Sequence, residues 1–160
     1  MRRAILEIIE KDSRISVNEL AKMLNADPKE IEKEIKHLED EKIIVGYQTL
    51  INWEKFDNNK VSALIDVKVA PQRDVGFDQV AERIQRFPEV KAVSLMSGGY
   101  DLSVSIEGKS LKQVSQFVFE KLACMEHVQS TMTHFELKKY KQAGIIFENQ
   151  DEDSRQVIIP

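Results

Sequence analysis

Apolar positions in the first third of the chain recur with a helical period. Ile5, Leu6, Ile8 and Ile9 share a stretch from about Arg3 to Lys11, and Val17, Leu20, Ala21 and Leu24 follow at i, i+3, i+4 and i+7. Ser16-Val17-Asn18-Glu19 introduces the second stripe with the Ser-x-x-Glu form of a capping box. In that motif the hydroxyl accepts from a free N–H of the first turn and the Glu reaches back. Asn25 suits the left-handed backbone that ends a helix. Asp27-Pro28-Lys29-Glu30 then opens a third helix, with Asp as N-cap, Pro at the first position and Glu in the first turn. Two capped helices joined by about three residues predict a helix-turn-helix over residues 1–47.

The pattern then changes. Ile43-Ile44-Val45-Gly46-Tyr47 is β-branched up to its glycine and predicts a short strand or wing leaving the helices. Residues 48–60 read as a linker with that short strand, and its polar end from Asn52 to Lys60 carries Trp53 and Phe56, which favour packing. From Val61 the period is two. Val61 to Val69 alternates and stops before Pro71, while Phe77, Val80, Ala81 and Ile84 return to helical spacing. Val90 to Met96 reads as a strand, Ser97-Gly98-Gly99-Tyr100 as a turn, and Asp101 to Glu107 as a strand with Leu102, Val104 and Ile106 on one face. Ser110 caps a helix bearing Leu111, Val114, Val118 and Leu122, and Val128 to Lys138 forms a last strand. The order βαββαβ is ferredoxin-like, over residues 61–142, with a tail at 143–160. The whole is an α+β chain: a winged helix-turn-helix domain followed by a ferredoxin-like domain. Helices cover one face of such a sheet. Leu64, Val93, Leu95, Phe135 and Leu137 are expected on the other, a mixed surface suited to sheet-to-sheet dimerisation.

Composition narrows the function. The 160 residues are 42% apolar and 31% charged, ordinary for a globular chain, and no apolar run approaches the ~20 residues of a membrane span. Met1-Arg2-Arg3-Ala4-Ile5-Leu6-Glu7 meets a charge too soon for a signal-peptide core, and one cysteine excludes an intramolecular disulfide. A cytoplasmic location is expected. Net charge is −4, and residues 1–59 alone carry 10 Lys and Arg against 13 Asp and Glu. Any nucleic-acid binding must therefore depend on where the charges point.

The third helix addresses that question. At 100° per residue Lys29, Lys33 and Lys36 converge within about 60° of one another, opposite Ile31, Ile35 and Leu38, with His37 close by. A solvated face is one reading, since Glu32 and Lys36 form a helix-supporting pair. Entry into the major groove of double-stranded DNA is the other, favoured by the two capped helices. The helix contains no Arg, so bidentate reading of guanine is not visible there.

Catalytic constellations are missing. His127 and His134 are seven residues apart, about 23 Å along a strand, too far to share a metal. Cys124 near His127 is more simply a packed residue than a nucleophile. Gly98-Gly99 lies between strands, not before a helix, so no phosphate cradle is present. The chain is expected to be neither enzyme nor metalloprotein and to need no cofactor. Ser97-Gly98-Gly99-Tyr100-Asp101 fits a hairpin turn, where Gly-Gly is common. It also fits a seat for an amino-acid zwitterion, the ligand carboxylate on backbone amides and its ammonium on Asp101. Thr131 and Thr133 are candidate polar contacts for the same ligand.

The helix-turn-helix, the run Leu38-Glu39-Asp40-Glu41-Lys42-Ile43-Ile44-Val45-Gly46-Tyr47, Gly99-Tyr100-Asp101 and the strand Val128-Gln129-Ser130-Thr131-Met132-Thr133 together resemble the Lrp/AsnC (feast/famine) transcription regulators over about residues 3–142. The resemblance implies an N-terminal DNA-binding domain, for which the helical seam of Lys29, Lys33, Lys36 and His37 is the candidate DNA face, and a ferredoxin-like (RAM/ACT-like) domain. It implies a homodimer, often a homo-octamer, with an amino-acid effector between dimers near Gly98, Gly99, Tyr100 and Asp101. A second reading keeps the ligand-binding oligomer and gives the helix-turn-helix weak or no DNA binding; the acidic first third and the Arg-free helix favour it. The tail adds Ile145-Ile146-Phe147, an acidic run at Asp151-Glu152-Asp153, and Val157-Ile158-Ile159. The acids read as solvated, and the apolar ends as strands for a partner sheet.

Overall fold

A computed structural model describes residues 1–56, 59–70 and 76–147. The chain divides into two compact units, Met1–Ile51 and Asn52–Pro160.

The first unit holds α1 (Arg2–Lys11), α2 (Val17–Leu24) and α3 (Pro28–Asp40). The caps are formed as the residue types require. Ser16 Oγ accepts from the Glu19 N–H at 3.2 Å while the Glu19 carboxylate accepts from the Ser16 N–H at 3.1 Å. Such a cap is worth about 1 kcal/mol. Asn25 closes α2 at φ 49°, and Asp27 Oδ1 accepts from the Lys29 N–H at 2.7 Å to start α3. Ile5, Leu20, Ala21, Ile31 and Leu38 are buried at the centre, with Ile8, Ile9, Leu24, Ile35 and Ile44 packed around them.

The expected strand after α3 is not formed. After α3 the N–H groups of Ile43 and Ile44 both donate to the Leu38 carbonyl, and Lys42 takes φ 59° to make that turn. No strand occurs from residue 43 to residue 52. A β-branched run has strand propensity, but a strand needs a partner, and the described chain offers none here. Tyr47 is held instead by its hydroxyl, which donates to Glu39 at 2.8 Å. Among its described residues the linker that follows contains no strand either; it carries the short helix α4 (Trp53–Phe56).

The second unit is a four-stranded antiparallel sheet in the order β2-β3-β1-β4. Its strands are β1 (Val61–Val69), β2 (Val90–Leu95), β3 (Leu102–Gly108) and β4 (Val128–Phe135). The crossovers are α5 (Phe77–Ile84) and α6 (Leu111–Phe117), which complete the ferredoxin-like βαββαβ. β4 ends three residues before the expected Lys138. A small hairpin follows, β5 (Lys141–Gln142) with β6 (Ile145–Ile146), so Ile145 and Ile146 pair within this chain. The acidic run and the apolar end of the tail lie outside the described residues.

Two packing details depart from the sequence pattern. The helix after Ser110 does not stay α-helical to Leu122: Val118–Leu122 is a π turn, with the Ala123 N–H bonded to the Val118 carbonyl at 2.7 Å. At α-helical pitch residues five apart point in different directions; the wider turn lets Phe117 and Leu122 both face the sheet. Phe117 then meets Phe87 edge-to-face at 5.4 Å.

The open sheet face also differs. Val93, Leu95 and Phe135 stand opposite Val104, Leu102 and Ala63, which are buried under the helices, so they lie on the helix side of the sheet, where Leu95 at the edge stays 60% exposed. Leu137 lies beyond β4 and is exposed. The open face keeps Leu64, adds Met132, and is otherwise polar, with Ser62, Asp66, Lys68, Ser103, Ser105, Ser130 and His134 in register. Among the described residues no helix is long and apolar enough to cross a membrane.

Candidate functional site

On the first unit the site is the outer face of α3. Lys29, Lys33, Lys36 and His37 are all exposed, opposite the buried Ile31 and Leu38. The three lysines make no ion pair with described residues. His37 differs: its Nε2 lies 3.1 Å from Glu41 Oε1, which draws the ring toward the helix end. Beside this face, where α2 turns into α3, Asn18, Lys22 and Asn25 line a shallow groove with Ala21, Ala26 and Pro28. In the sequence Asn25 stands out only as a helix end. Its spacing from Asn18 and Lys22 was the available signal for the groove.

Arg2 fixes the far end of α3. Its Nε is 2.7 Å from Glu34 and its Nη2 is 2.7 Å from Glu41, which pins α1 against the C-terminal half of the helix. The Arg2 hydrogen bond holds the Glu41 carboxyl below its ordinary value of 4.5, with burial opposing and the Arg2 and His37 charges adding. A carboxyl lowered by folding stabilises the fold above its unfolded pKa and loses that contribution as pH falls through its folded pKa. Arg2→Ala is therefore expected to flatten the acid-side fall in stability of the first unit below about pH 5. Thermal midpoints of the two proteins across that range check this; parallel curves would contradict it.

On the second unit the candidate is the turn between β2 and β3. It is closed by the Met96 N–H donating to the Asp101 carbonyl at 2.8 Å. Gly98 and Gly99 are exposed, neither has positive φ, and a Cβ at either would meet no described atom within 4 Å. The turn geometry therefore does not require glycine at these positions. Tyr100 is half-buried. Asp101 ends the β3–β1 ladder: one carboxylate oxygen accepts from the Val69 N–H at 2.9 Å, and the other lies 3.3 Å from Lys68 Nζ. Its N–H donates to the Val67 carbonyl at 3.0 Å. Lys68 was not among the sequence candidates, because only the sheet register brings it beside Asp101.

Thr131 and Thr133 are not gathered with these residues. They stand on β4 opposite Val67 and Ile65, half-buried toward the helix-covered face, and β1 lies between them and the turn. Of the remaining chemistry, Cys124 is exposed with its thiol 3.1 Å from the Phe119 carbonyl, and His134 pairs with Asp66 at 3.1 Å on the open sheet face. Among the described residues no three His, Cys, Asp or Glu group as a metal site would.

A capped helix-turn-helix with a lysine seam, followed by a ferredoxin-like domain with an open glycine turn, defines a regulator that joins a DNA-binding unit to a ligand-binding unit. Comparison with known proteins agrees. The family model for the Lrp/AsnC ligand binding domain matches residues 62–146, and that for winged helix-turn-helix DNA-binding matches residues 1–45. The chain belongs to the Lrp/AsnC family of transcription regulators. It is 51% identical, over 98% of its length and 95% of the relative's, to the HTH-type transcriptional regulator YugG of Bacillus subtilis. The solved transcriptional regulator–L-Met complex from Neisseria meningitidis is 25% identical with a TM-score of 0.72, covering 88% of this chain and 90% of that one. AsnC of E. coli shares the fold at 20% identity and a TM-score of 0.68, over 88% and 93% of the two chains.

Proposed function

We propose that this regulator is a cytoplasmic homodimer or homo-octamer that binds specific double-stranded DNA through α3 and responds to an amino-acid effector held at the Gly98–Asp101 turn. Lys29, Lys33 and Lys36 contact phosphates, and His37 joins them once released from Glu41. Tyr100 and Asp101 bind the effector at an interface between dimers. The reading on the ligand side is carried by the two glycines: neither φ nor crowding within the fold calls for them, so the space above them is available to a ligand. The L-Met bound by the neisserial relative supports the effector class.

Genomic DNA retrieval by the purified protein, at two salt concentrations and with or without pooled amino acids, tests the whole reading. Enrichment of discrete fragments that changes with amino acids is expected; featureless retrieval would count against it. Asp101→Asn is the sharper test of the site. Asn retains an acceptor for the Val69 N–H but loses the charge that pairs with an ammonium group. Losing a charged hydrogen bond is expected to weaken effector binding about tenfold to a hundredfold in calorimetry. Equal binding by Asp101→Asn would reduce Asp101 to the end of a strand ladder.

A further inference from the structure

The seat once expected for an effector ammonium is already partly filled. Lys68 Nζ stands 3.3 Å from Asp101 Oδ1, so the chain places a cation beside the carboxylate. The arrangement leaves capacity on both groups. A carboxylate offers about four lone-pair sites, and Asp101 uses two, for the Val69 N–H and for Lys68. An ammonium has three donors, and the one aimed at Asp101 leaves Lys68 with donors to spare. Both side chains are partly exposed, Lys68 at 37% and Asp101 at 17%, so a small molecule can reach them. The β1–β4 register shifts between Lys68 and Val69, an irregularity of the kind that re-aims a side chain next to a binding site.

We infer that Lys68 is the carboxylate-binding residue of the effector site, and that Lys68 and Asp101 together recognise the zwitterion of an α-amino acid head to tail. This rests on the effector reading above and moves the ligand carboxylate from the turn amides to a side chain. The two charges of an α-amino acid are one carbon apart. A fixed pair of opposite charges in contact therefore matches them: the ligand ammonium lies on Asp101, its carboxylate on Lys68, and the four charges alternate. A simple amine or a simple carboxylic acid supplies only one of the two and gains only one partner, and a peptide interior supplies neither.

The test separates the carboxylate from the rest of the ligand. Calorimetry against the twenty amino acids first identifies the tightest binder of the full-length wild type; the same amino acid is then measured as its carboxamide. Wild type is expected to prefer the acid to the amide by about tenfold or more, the cost of a lost charged hydrogen bond. Lys68→Met is expected to bind both equally, and Lys68→Arg to keep the preference. If Lys68→Met melts early, Lys68→Gln gives the same comparison with a polar side chain. A folded Lys68→Met or Lys68→Gln that still prefers the acid as strongly as wild type overturns the role of Lys68 and leaves the effector reading intact. Failure of wild type to bind any of the twenty overturns both.

Discussion

Replacing Lys29, Lys33 and Lys36 together by Ala is expected to weaken DNA binding and to flatten its dependence on salt. The three ammonium groups sit on one exposed face and none is in an ion pair with a described carboxylate. A phosphate contact releases a condensed counterion, so each one lost should make the slope of log affinity against log salt shallower by roughly 0.9. Three contacts give a change of about 2.7 for each docked protomer, the largest functional effect any surface substitution here should produce. All three side chains are exposed, so the thermal midpoint should stay within the small range of ordinary surface changes. That control matters because the first unit is acidic, with several glutamates flanking the seam. If the unit has kept its fold but lost DNA binding, wild type and triple variant will show equally weak, equally salt-sensitive association. Unchanged affinity and slope in a folded variant would place the DNA face elsewhere, and the groove of Asn18, Lys22 and Asn25 would be the next surface to examine.

The helices were legible because their signals are local. Ser16 with Glu19, Asn25, and Asp27 with Pro28 each satisfy or terminate backbone groups within a few residues of themselves, and all three act as expected. β1 was legible for a similar reason: it lies inside the sheet, with Ala63, Ile65, Val67 and Val69 all buried on one face, so its alternation is clean. β2 and β4 lie at the sheet edges, where apolar residues occur on both parities. Only the pairing of Val93 with Val104 and of Phe135 with Ala63 decides which set faces the helices. The π turn escaped because its effect is a phase change: the α-helical stripe through Val118 and Leu122 had no place for Phe117. The strand after α3 failed because strand propensity at Ile43–Val45 is a statement about side chains, whereas a strand also needs a second backbone.

The candidate site divides along the same line. The lysine seam follows from helical geometry and could be read directly. The glycine turn was visible as composition, yet the reason to attribute it to a ligand appeared only once φ and the space above each Cα were known. Lys68 beside Asp101 joins positions 33 residues apart, and nothing short of the β1–β3 register brings them together. A sequence therefore reports well on sites built on one element and poorly on sites assembled between strands.

Leu38→Ala should cause the largest loss of stability and should act on one unit only. Leu38 is fully buried with Ile5, Leu20, Ala21 and Ile31, and its carbonyl accepts from both Ile43 and Ile44 as the chain leaves α3. Truncation removes the side chain that holds α3 to the other two helices and leaves a cavity, at a cost of about 2–5 kcal/mol. A unit of this size buries a smaller share of its surface than a larger domain does and has little stability in reserve. The first unit of the variant is therefore expected to melt well before the second, whose core of Ile65, Val67, Val104 and Leu122 shares no residue with it. Calorimetric scanning should show an early transition absent from wild type. DNA binding should fall with it, while effector affinity at the second unit persists. This outcome is distinct from that of the lysine triple variant, which keeps its melting curve and changes its salt slope. A Leu38→Ala protein with a wild-type melting curve would mean that α3 is held by contacts other than the five-residue core.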